Sequence, residues 1–214
     1  MSLGLALAPG LSFPDKFSSA QAQVQGHTGR VISVETAAQL LKAIGPNRTI
    51  LLKPNTYDLS VKAPATAYLE YDPHTGGPVI KNVKNLRLIG SDVRATKVVI
   101  NSPTAHVLSF KNSSGIQIRA LEFGHIPQSD AICLGAVLGF ESSHGIQLSD
   151  VNLFGSGTFG LWLENTRNLR LNNSVIKECS QGIAFLSGSR QITFSNSTFV
   201  NNDGGLNLWD NSQA

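Results

Sequence analysis

The sequence has few charged residues. Asp, Glu, Lys and Arg make up 14% of its 214 residues, against about 25% in a typical soluble domain. Asn, Ser, Thr and Gly fill the gap, which suits a chain with many turns. The formal net charge is +3, and this mild basicity favours an anionic partner.

Long apolar runs are also missing. No stretch approaches the roughly 18 apolar residues of a transmembrane helix, so no membrane span is expected. Near the N-terminus, Gly4–Leu11 is a short apolar segment and Ala20–Ala22 resembles a small-residue cleavage site, but no basic residue precedes them. Residues 1–29 are interpreted either as a disordered leader or as the remnant of a secretory signal, and residues 30–214 as the folded domain.

Cysteine is scarce, with one residue at Cys133 and one at Cys179. In the repeat described next, these two positions lie about two coils apart, roughly 9.6 Å at the strand spacing. A disulfide needs Cα atoms within about 7 Å. We therefore expect two buried, unbridged thiols, which indicate no particular redox compartment.

The sequence does contain an internal repeat. A short apolar–polar alternation returns at Leu86–Leu88, Ile116–Phe123, Ile146–Leu153, Leu169–Ile176 and Ile192–Phe199. The steps between copies are 30, 30, 23 and 23 residues. A period in this range is typical of a solenoid, in which each repeat stacks on the last.

The alternation has the period of a β-strand with one buried face. Ile146 and Leu148 are apolar, whereas Gln147 and Ser149 beside them are polar. Each unit also carries an earlier strand, at Val107–Phe110, Val137–Phe140, Leu161–Leu163 and Ile183–Phe185. No helix-length apolar pattern separates these strands, which disfavours a β/α solenoid. The pattern predicts an all-β parallel β-helix, a coil of short parallel strands around one core.

The repeat also predicts which side chains stack from coil to coil, at roughly 4.8 Å per step. Two buried columns are expected: Leu148, Leu171 and Phe194, and Leu153, Ile176 and Phe199. Equivalent turn positions are occupied by Asn82, Asn112, Ser142 and Asn165. Asn tolerates the left-handed backbone of tight turns, and its side chain can hydrogen-bond from coil to coil.

A short amphipathic helix is predicted at Glu35–Ile44, with Gly45 suited to its C-terminal cap. We expect this helix to cover the open N-terminal end of the solenoid core. At the other end, Leu206–Asn211 opens a further coil without finishing it. The C-terminal end is therefore expected to be incomplete, and to continue into a further domain or be covered by a partner.

The helix, the segment Ile50–Tyr57 and the Asn-rich coils together resemble right-handed parallel β-helix proteins of the pectin-lyase-like superfamily. The resemblance covers roughly residues 31–211, and its N-terminal carriers are Leu40, Leu41, Ala43, Ile44, Ile50, Lys53, Pro54, Thr56 and Tyr57. It implies an all-β, right-handed parallel β-helix with a short N-terminal capping helix. The superfamily includes polysaccharide lyases, polygalacturonases, uronan epimerases, adhesins and non-catalytic proteins, so the resemblance implies no single activity.

The first candidate site lies in two corner loops. Each 30-residue step carries seven extra residues, at Ile100–His106 and His125–Ala131, and stacked insertions at one corner can wall a groove. The side chains expected to converge there are His106, Glu122, His125 and Asp130. Glu122 would act as general base, and His125 as the acid or the group that orients substrate. Prolines in both loops fit the alternative of ordinary rigid loops without a site.

The second candidate is a column of basic residues. One turn position carries, at successive coil steps, Lys84, Ser114, His144, Arg167 and Arg190, and the neighbouring outward strand position carries Arg87 and Arg170. Stacked like charges repel one another, and an anion lying along the solenoid relieves the repulsion. An acidic polysaccharide suits such a regular surface, whereas nucleic acid is not expected because no aromatic residues interleave the column. A solubilising, solvated face is the alternative.

An aromatic side chain and a pair of carboxylates are also expected on the outward face. Trp162 suits stacking on a sugar ring, unless the Phe159 turn covers it. Glu141 and Glu164 form an adjacent turn pair with Lys111 one coil earlier. These carboxylates would bind a cation or share a proton, or Lys111 simply pairs with Glu141 on a solvated turn. No metal or cofactor site is expected.

Two functions remain open from the sequence. The first is a secreted or cell-surface domain, extracellular or periplasmic, that binds, or binds and processes, an acidic polysaccharide. If it is an enzyme, it would resemble a polysaccharide lyase or hydrolase. The second is a non-catalytic structural or interaction module of a larger surface protein.

Overall fold

The computed structural model describes residues 29–126, 134–155, 157–210 and 212–214. Apart from Gly29, the leader inferred from the sequence lies outside the described residues, as do Asp130 and Cys133. The helix is α1, Ala37–Ala43. The strands are β1 Arg30–Val34, β2 Arg48–Leu52, β3 Asn55–Asp58, β4 Leu69–Tyr71, β5 Pro78–Lys81, β6 Leu86–Gly90, β7 Thr96–Ile100, β8 Leu108–Lys111, β9 Ser114–His125, β10 Leu138–Glu141, β11 His144–Phe154, β12 Phe159–Glu164, β13 Arg167–Asn172, β14 Val175–Lys177, β15 Gly182–Ser187, β16 Arg190–Ser195, β17 Thr198–Val200 and β18 Leu206–Trp209.

The strands form two sheets, through which the chain winds coil after coil. Sheet A has the order β1-β2-β6-β9-β11-β13-β16, with β3, β7, β14 and β17 alongside. Sheet B has the order β4-β5-β8-β10-β12-β15-β18. Within the described ranges every strand pair is parallel except β4 with β5. This confirms the all-β parallel β-helix.

The register confirms both predicted columns. Leu148 pairs with Leu171, which pairs with Phe194. The second column, Leu153, Ile176 and Phe199, is aligned in the same way. The leucines are fully buried, whereas Phe194 is half-buried and Phe199 is 39% exposed. The core therefore thins towards the last described coil.

The turn residues adopt the left-handed backbone that the sequence predicted. Asn82, Asn112, Ser142 and Asn165 have φ between 48° and 55°. Serine hydroxyls at this turn link successive coils by accepting hydrogen bonds from backbone N–H groups. For example, Ser113 N donates to the Ser143 hydroxyl at 3.1 Å. Each coil thus supplies a bond to the corner of the coil before it.

Helix α1 is shorter than predicted, and its C-terminal end has a different cap. Thr36 caps its start through a hydroxyl that accepts from Gln39 N at 3.2 Å. At its end Ile44 turns extended, and Arg48 Nη1 donates to the Ala43 carbonyl oxygen at 2.6 Å. Gly45 does not form a left-handed cap; a Cβ there would lie 2.7 Å from Arg48 Cζ, so the side chain that caps the helix would have to shift. The buried face of α1 covers the first coil, as expected.

His125 anchors the first corner loop to the solenoid. Its side chain is 2% exposed, and Nε2 donates to the Ala105 carbonyl oxygen at 2.8 Å. Its Nδ1 is buried without a hydrogen-bond partner in the described part of the chain. The loop that ends in His106 is therefore fixed by the buried side chain of His125.

Cys179 is also buried.

The stacked core predicts a sharp contrast within β13. Leu171→Asp would bury a charge with no counterion among the leucines, and should lower the free energy of unfolding by at least ~4 kcal/mol. Arg170→Ala, the exposed neighbour, should change it by no more than about 0.5 kcal/mol. Urea unfolding followed by far-UV circular dichroism measures both. Similar midpoints for the two variants would contradict the stacked core.

His125 predicts a loss of stability in mild acid. Burial lowers the pKa of His125 below the ~6.5 of the unfolded chain. The unfolded state therefore binds the proton first, so the stability contributed by neutral His125 is present above about pH 6.5 and is lost as the pH falls below that value. His125→Gln can still donate to Ala105 O, and its melting temperature should fall less than that of the wild type between about pH 7 and about pH 5. The exposed His74 provides the control: His74→Gln should follow the wild type, and so would His125→Gln if the acid sensitivity arose elsewhere.

Candidate functional site

The structure does not bring Glu122 and His125 of the predicted corner-loop group together. Glu122 points outward from β9, where its Oε1 lies 2.8 Å from Lys97 Nζ. His125, three positions along the same strand, points inward to Ala105. Positions an odd number apart on a strand face opposite sides. The expected Glu122–His125 acid/base pair is therefore corrected, and Asp130 lies outside the described residues.

His106 does reach the outer face of sheet B. Its Nδ1 accepts a hydrogen bond from Ala136 N at 2.8 Å, so the neutral ring carries its proton on Nε2. Burial lowers the pKa of His106, which keeps the ring neutral at physiological pH. The ring lies over Gly139, where a Cβ would come within 3.0 Å of His106 Cδ2. The absence of a side chain at that position lets the imidazole approach the sheet.

A groove of ≈ 260 Å³ runs over this face of sheet B. We call it the sheet B groove; its lining includes Glu70, Asp72, Thr75, His106, Ser109, Lys111, Gly139, Glu141, Trp162 and Glu164. Its floor follows one outward column of register neighbours, Val79, Ser109, Gly139 and Trp162, and Phe185 is the next member of this column beyond the groove. The groove is thus assembled from four successive coils.

Trp162 is held rigidly in this groove. Its ring stacks on Phe185 with centroids 4.1 Å apart and an interplanar angle of 24°. Its Nε1 donates to Glu164 Oε1 at 2.6 Å. Phe159 meets the indole edge-on at 6.0 Å, and Trp162 remains partly exposed, so that turn does not cover the indole completely.

The groove is acidic. Lys111 pairs with Glu141 at 2.8 Å, which is the pairing expected from the sequence as the alternative to a cation site. Lys81 pairs with Glu70. Asp72 and Glu164 form no ion pair with any described residue. A hydrogen bond from Thr75 N lowers the pKa of Asp72, so this carboxylate stays charged at neutral pH.

The basic column is aligned as predicted. Lys84 bridges to Ser114, and His144 pairs with Ser114 and Arg167, which in turn pairs with Arg190. We keep the name basic column for this row together with Arg87 and Arg170, which flank it on the next outward position. A shallow depression of ≈ 280 Å³ lies along it, lined by His144, Arg167 and Arg190 with the turn residues between them. Its role in binding stays a prediction.

Sequence reasoning missed Asp72, Ser109 and Gly139 as groove residues. Ser109, Gly139 and Trp162 share one outward column, so the strand alternation contained the signal. Asp72 carried no such signal, because it belongs to the turn between β4 and β5, before the regular repeat begins. Neither a membrane-spanning helix nor a group of three His, Cys, Asp or Glu side chains suited to a metal ion occurs among the described residues.

Solved structures share this fold at low sequence identity. A candidate glycosyl hydrolase from Parabacteroides merdae matches with a TM-score of 0.51 and 8% identity, over 86% of this chain and 98% of its own. An alginate lyase from Paenibacillus sp. strain FPU-7 matches with a TM-score of 0.51 and 14% identity, over 84% of this chain and 75% of its own. A pectate lyase from Paenibacillus sp. 0602 matches with a TM-score of 0.45 and 16% identity, over 71% of this chain and 38% of its own. At these identities the likeness concerns the fold alone.

Sequence comparison supplies the family. No curated protein matches the sequence. The model of a family described as "Right handed beta helix region" matches residues 78–214, which is more than half of the chain. The matched residues include the whole basic column and the strands that form the floor of the sheet B groove, but not Glu70, Asp72 and Thr75 on its rim. The chain therefore belongs to the family of right-handed β-helix proteins.

Proposed function

We propose that this chain is an extracellular or periplasmic β-helix domain that binds an acidic polysaccharide along the basic column. The observation that carries the proposal is the absence of counterions. None of Lys84, Arg87, His144, Arg167, Arg170 and Arg190 forms an ion pair with any residue that the structure describes. Except for Arg87, which is half-buried, all of these side chains are exposed.

Six cations elsewhere on the described surface are paired: Lys53 with Glu35, Lys81 with Glu70, Lys97 with Glu122, Lys111 with Glu141, Arg119 with Asp150 and Lys177 with Glu178. Arg30, Lys42, Arg48 and Lys62 also form no ion pair with a described residue, so the length of the unpaired row is what sets the basic column apart. A merely solubilising face has no need to group its unpaired cations in one row. The grouping raises the local positive potential, and a bound polyanion would lower it.

The geometry of the column suits a polymer rather than a single anion. Its members recur at the coil spacing, roughly 4.8 Å, so one acidic group can meet each coil. Between the cations lie Ser142, Asn165 and Gly188, whose small or polar surfaces let a chain approach the backbone. Exposed charge pairs are individually weak, and affinity would come from several of them acting together.

The comparisons are compatible with this proposal but do not carry it. One structural neighbour is titled an alginate lyase, and a shared β-helix does not transfer its substrate. Processing of the polysaccharide would need an acid/base pair, and the pair predicted from Glu122 and His125 does not form. Binding is therefore the part of the function that the geometry supports best.

A second candidate is an interaction module of a larger surface protein. In β18, Leu208 is 50% exposed and Trp209 is 58% exposed. Apolar strand residues exposed at one end of a solenoid favour contact with a further coil, a further domain or a partner. An interaction module of this kind would bind no polyuronate, so the experiment below separates the two candidates.

Charge reversal tests the basic column. Arg167→Glu combined with Arg190→Glu should weaken binding to polygalacturonate or alginate about tenfold or more, because each change removes an attraction and adds a repulsion. Binding is measured by isothermal titration calorimetry at low salt, and added salt should weaken the wild type as well. The matched control is Lys42→Glu with Arg94→Glu, which alters the net charge equally at two exposed cations outside the column.

Three outcomes count against the proposal. They are no binding by the wild type at low salt, unchanged binding by the column variant, and an equal loss in the control variant. The last result would mean that net charge, rather than the column, attracts the polyanion.

A further inference from the structure

We infer that the sheet B groove binds a saccharide that carries amino groups, at a site separate from the basic column. The juxtaposition behind this inference is a rigid aromatic face, Trp162, beside two carboxylates without counterions, Asp72 and Glu164, in one groove. The inference goes beyond the proposed function because the charge of this groove is opposite to that of the column. The groove would therefore bind a second class of ligand, distinct from the acidic polysaccharide of the basic column.

The aromatic part of the site is already organised for stacking. Phe185 covers one face of the Trp162 ring. On the other side, the register neighbour of Trp162 is Gly139, and the His106 ring lies over that glycine. His106 lies 5.9 Å from the indole at a tilt of 37°, so it borders this face without stacking on it. A pyranose ring can therefore pack its C–H face on the part of the indole that Phe185 and His106 leave exposed.

The charge of the groove selects the ligand. The carboxylates of a polyuronate bound in this groove would lie near Asp72 and Glu164, and the repulsion between these negative charges would disfavour binding. Neither carboxylate forms an ion pair with a described residue, although Lys111, which pairs with Glu141 in the same groove, also attracts Glu164. An ammonium group could pair with either carboxylate directly. The protein as a whole has a net charge of +3, so a preference for an amine can only come from the local field of the groove.

His106 completes the polar rim. Its Nδ1 is occupied by Ala136 N, which leaves Nε2–H as the one hydrogen-bond donor of the neutral ring. A donor of this kind suits a sugar hydroxyl or ring oxygen and does not repel an ammonium group as an imidazolium would. The Ala105 carbonyl bonded by His125 precedes His106 directly, so a buried side chain fixes its backbone.

Three tetrasaccharides that differ in charge test the inference. Tetramers of glucosamine, N-acetylglucosamine and galacturonate are titrated into the wild-type protein at about 0.15 M salt, where charges beyond roughly 8 Å are screened. The glucosamine tetramer should bind roughly threefold to tenfold more tightly than the N-acetylated one, as one or two partly exposed ion pairs allow. Binding of the galacturonate tetramer should be insensitive to changes in the groove.

Two variants assign the effect to the groove. Glu164→Gln keeps an oxygen that accepts a hydrogen bond from Trp162 Nε1, so the indole should stay in place. The ratio of the affinities for the glucosamine and N-acetylglucosamine tetramers should fall. Trp162→Ala should weaken the glucosamine and N-acetylglucosamine tetramers together. The control is Glu178→Gln, an exposed carboxylate outside the groove, which should leave the series unchanged.

The inference fails if the glucosamine and N-acetylglucosamine tetramers bind the wild type equally. It also fails if Glu164→Gln retains the full preference for the amine, or if Glu178→Gln loses it to the same extent. Melting temperatures check that each variant is folded. Loss of polyuronate binding in the Arg167→Glu, Arg190→Glu variant bears on the basic column only, so the two proposals can fail independently.

Discussion

Backbone pairing between successive coils is the constraint on which this molecule depends. Each coil donates and accepts its sheet hydrogen bonds above and below, so every residue lies directly over its counterpart at the strand spacing. Apolar positions become buried columns such as Leu148, Leu171 and Phe194. The corners must fold back within two or three residues, and they do so through left-handed residues such as Asn112 and Asn165. A residue type that suits one coil therefore tends to suit the next.

The same constraint governs the surface chemistry. Because the coils stack, one charged residue per coil forms a row of charges along the solenoid. The charges in such a row either pair with opposite charges or remain available to a ligand. Opposite charges in one row, as at Lys111 and Glu141, neutralise each other. Like charges in one row, as at Arg167 and Arg190, do not. A row of mixed charge, formed by Lys81, Lys111, Glu141 and Glu164, thus runs beside the basic column across the same turn, because Glu164 and Arg167 are separated by only Asn165 and Thr166.

The repeat made much of the fold predictable from the sequence, because side-chain direction has a period of two and the copies recur at steps of 30 or 23 residues. The core columns, the left-handed corners and the alignment of the basic column all follow from those two facts. The corner loops did not follow, since their extra residues interrupt the repeat. Even so, the failure of the Glu122–His125 pair could have been foreseen from parity along β9. Asp72 and the Arg48 cap of α1 depend on irregular segments that no period describes.

The thinning of the core towards β18 has a consequence for local opening. Each coil is coupled chiefly to its neighbours, and α1 shields the first coil while the side chains of β17 and β18 are exposed. Where nothing covers the coil of β16 to β18, this coil should open more readily than the coils around β9 and β11, and its amides should exchange faster. Arg190 belongs to the coil that opens first, whereas Trp162 lies further in. An anion held by Arg190 would consequently close that end of the solenoid, since a ligand that binds only the closed form stabilises it.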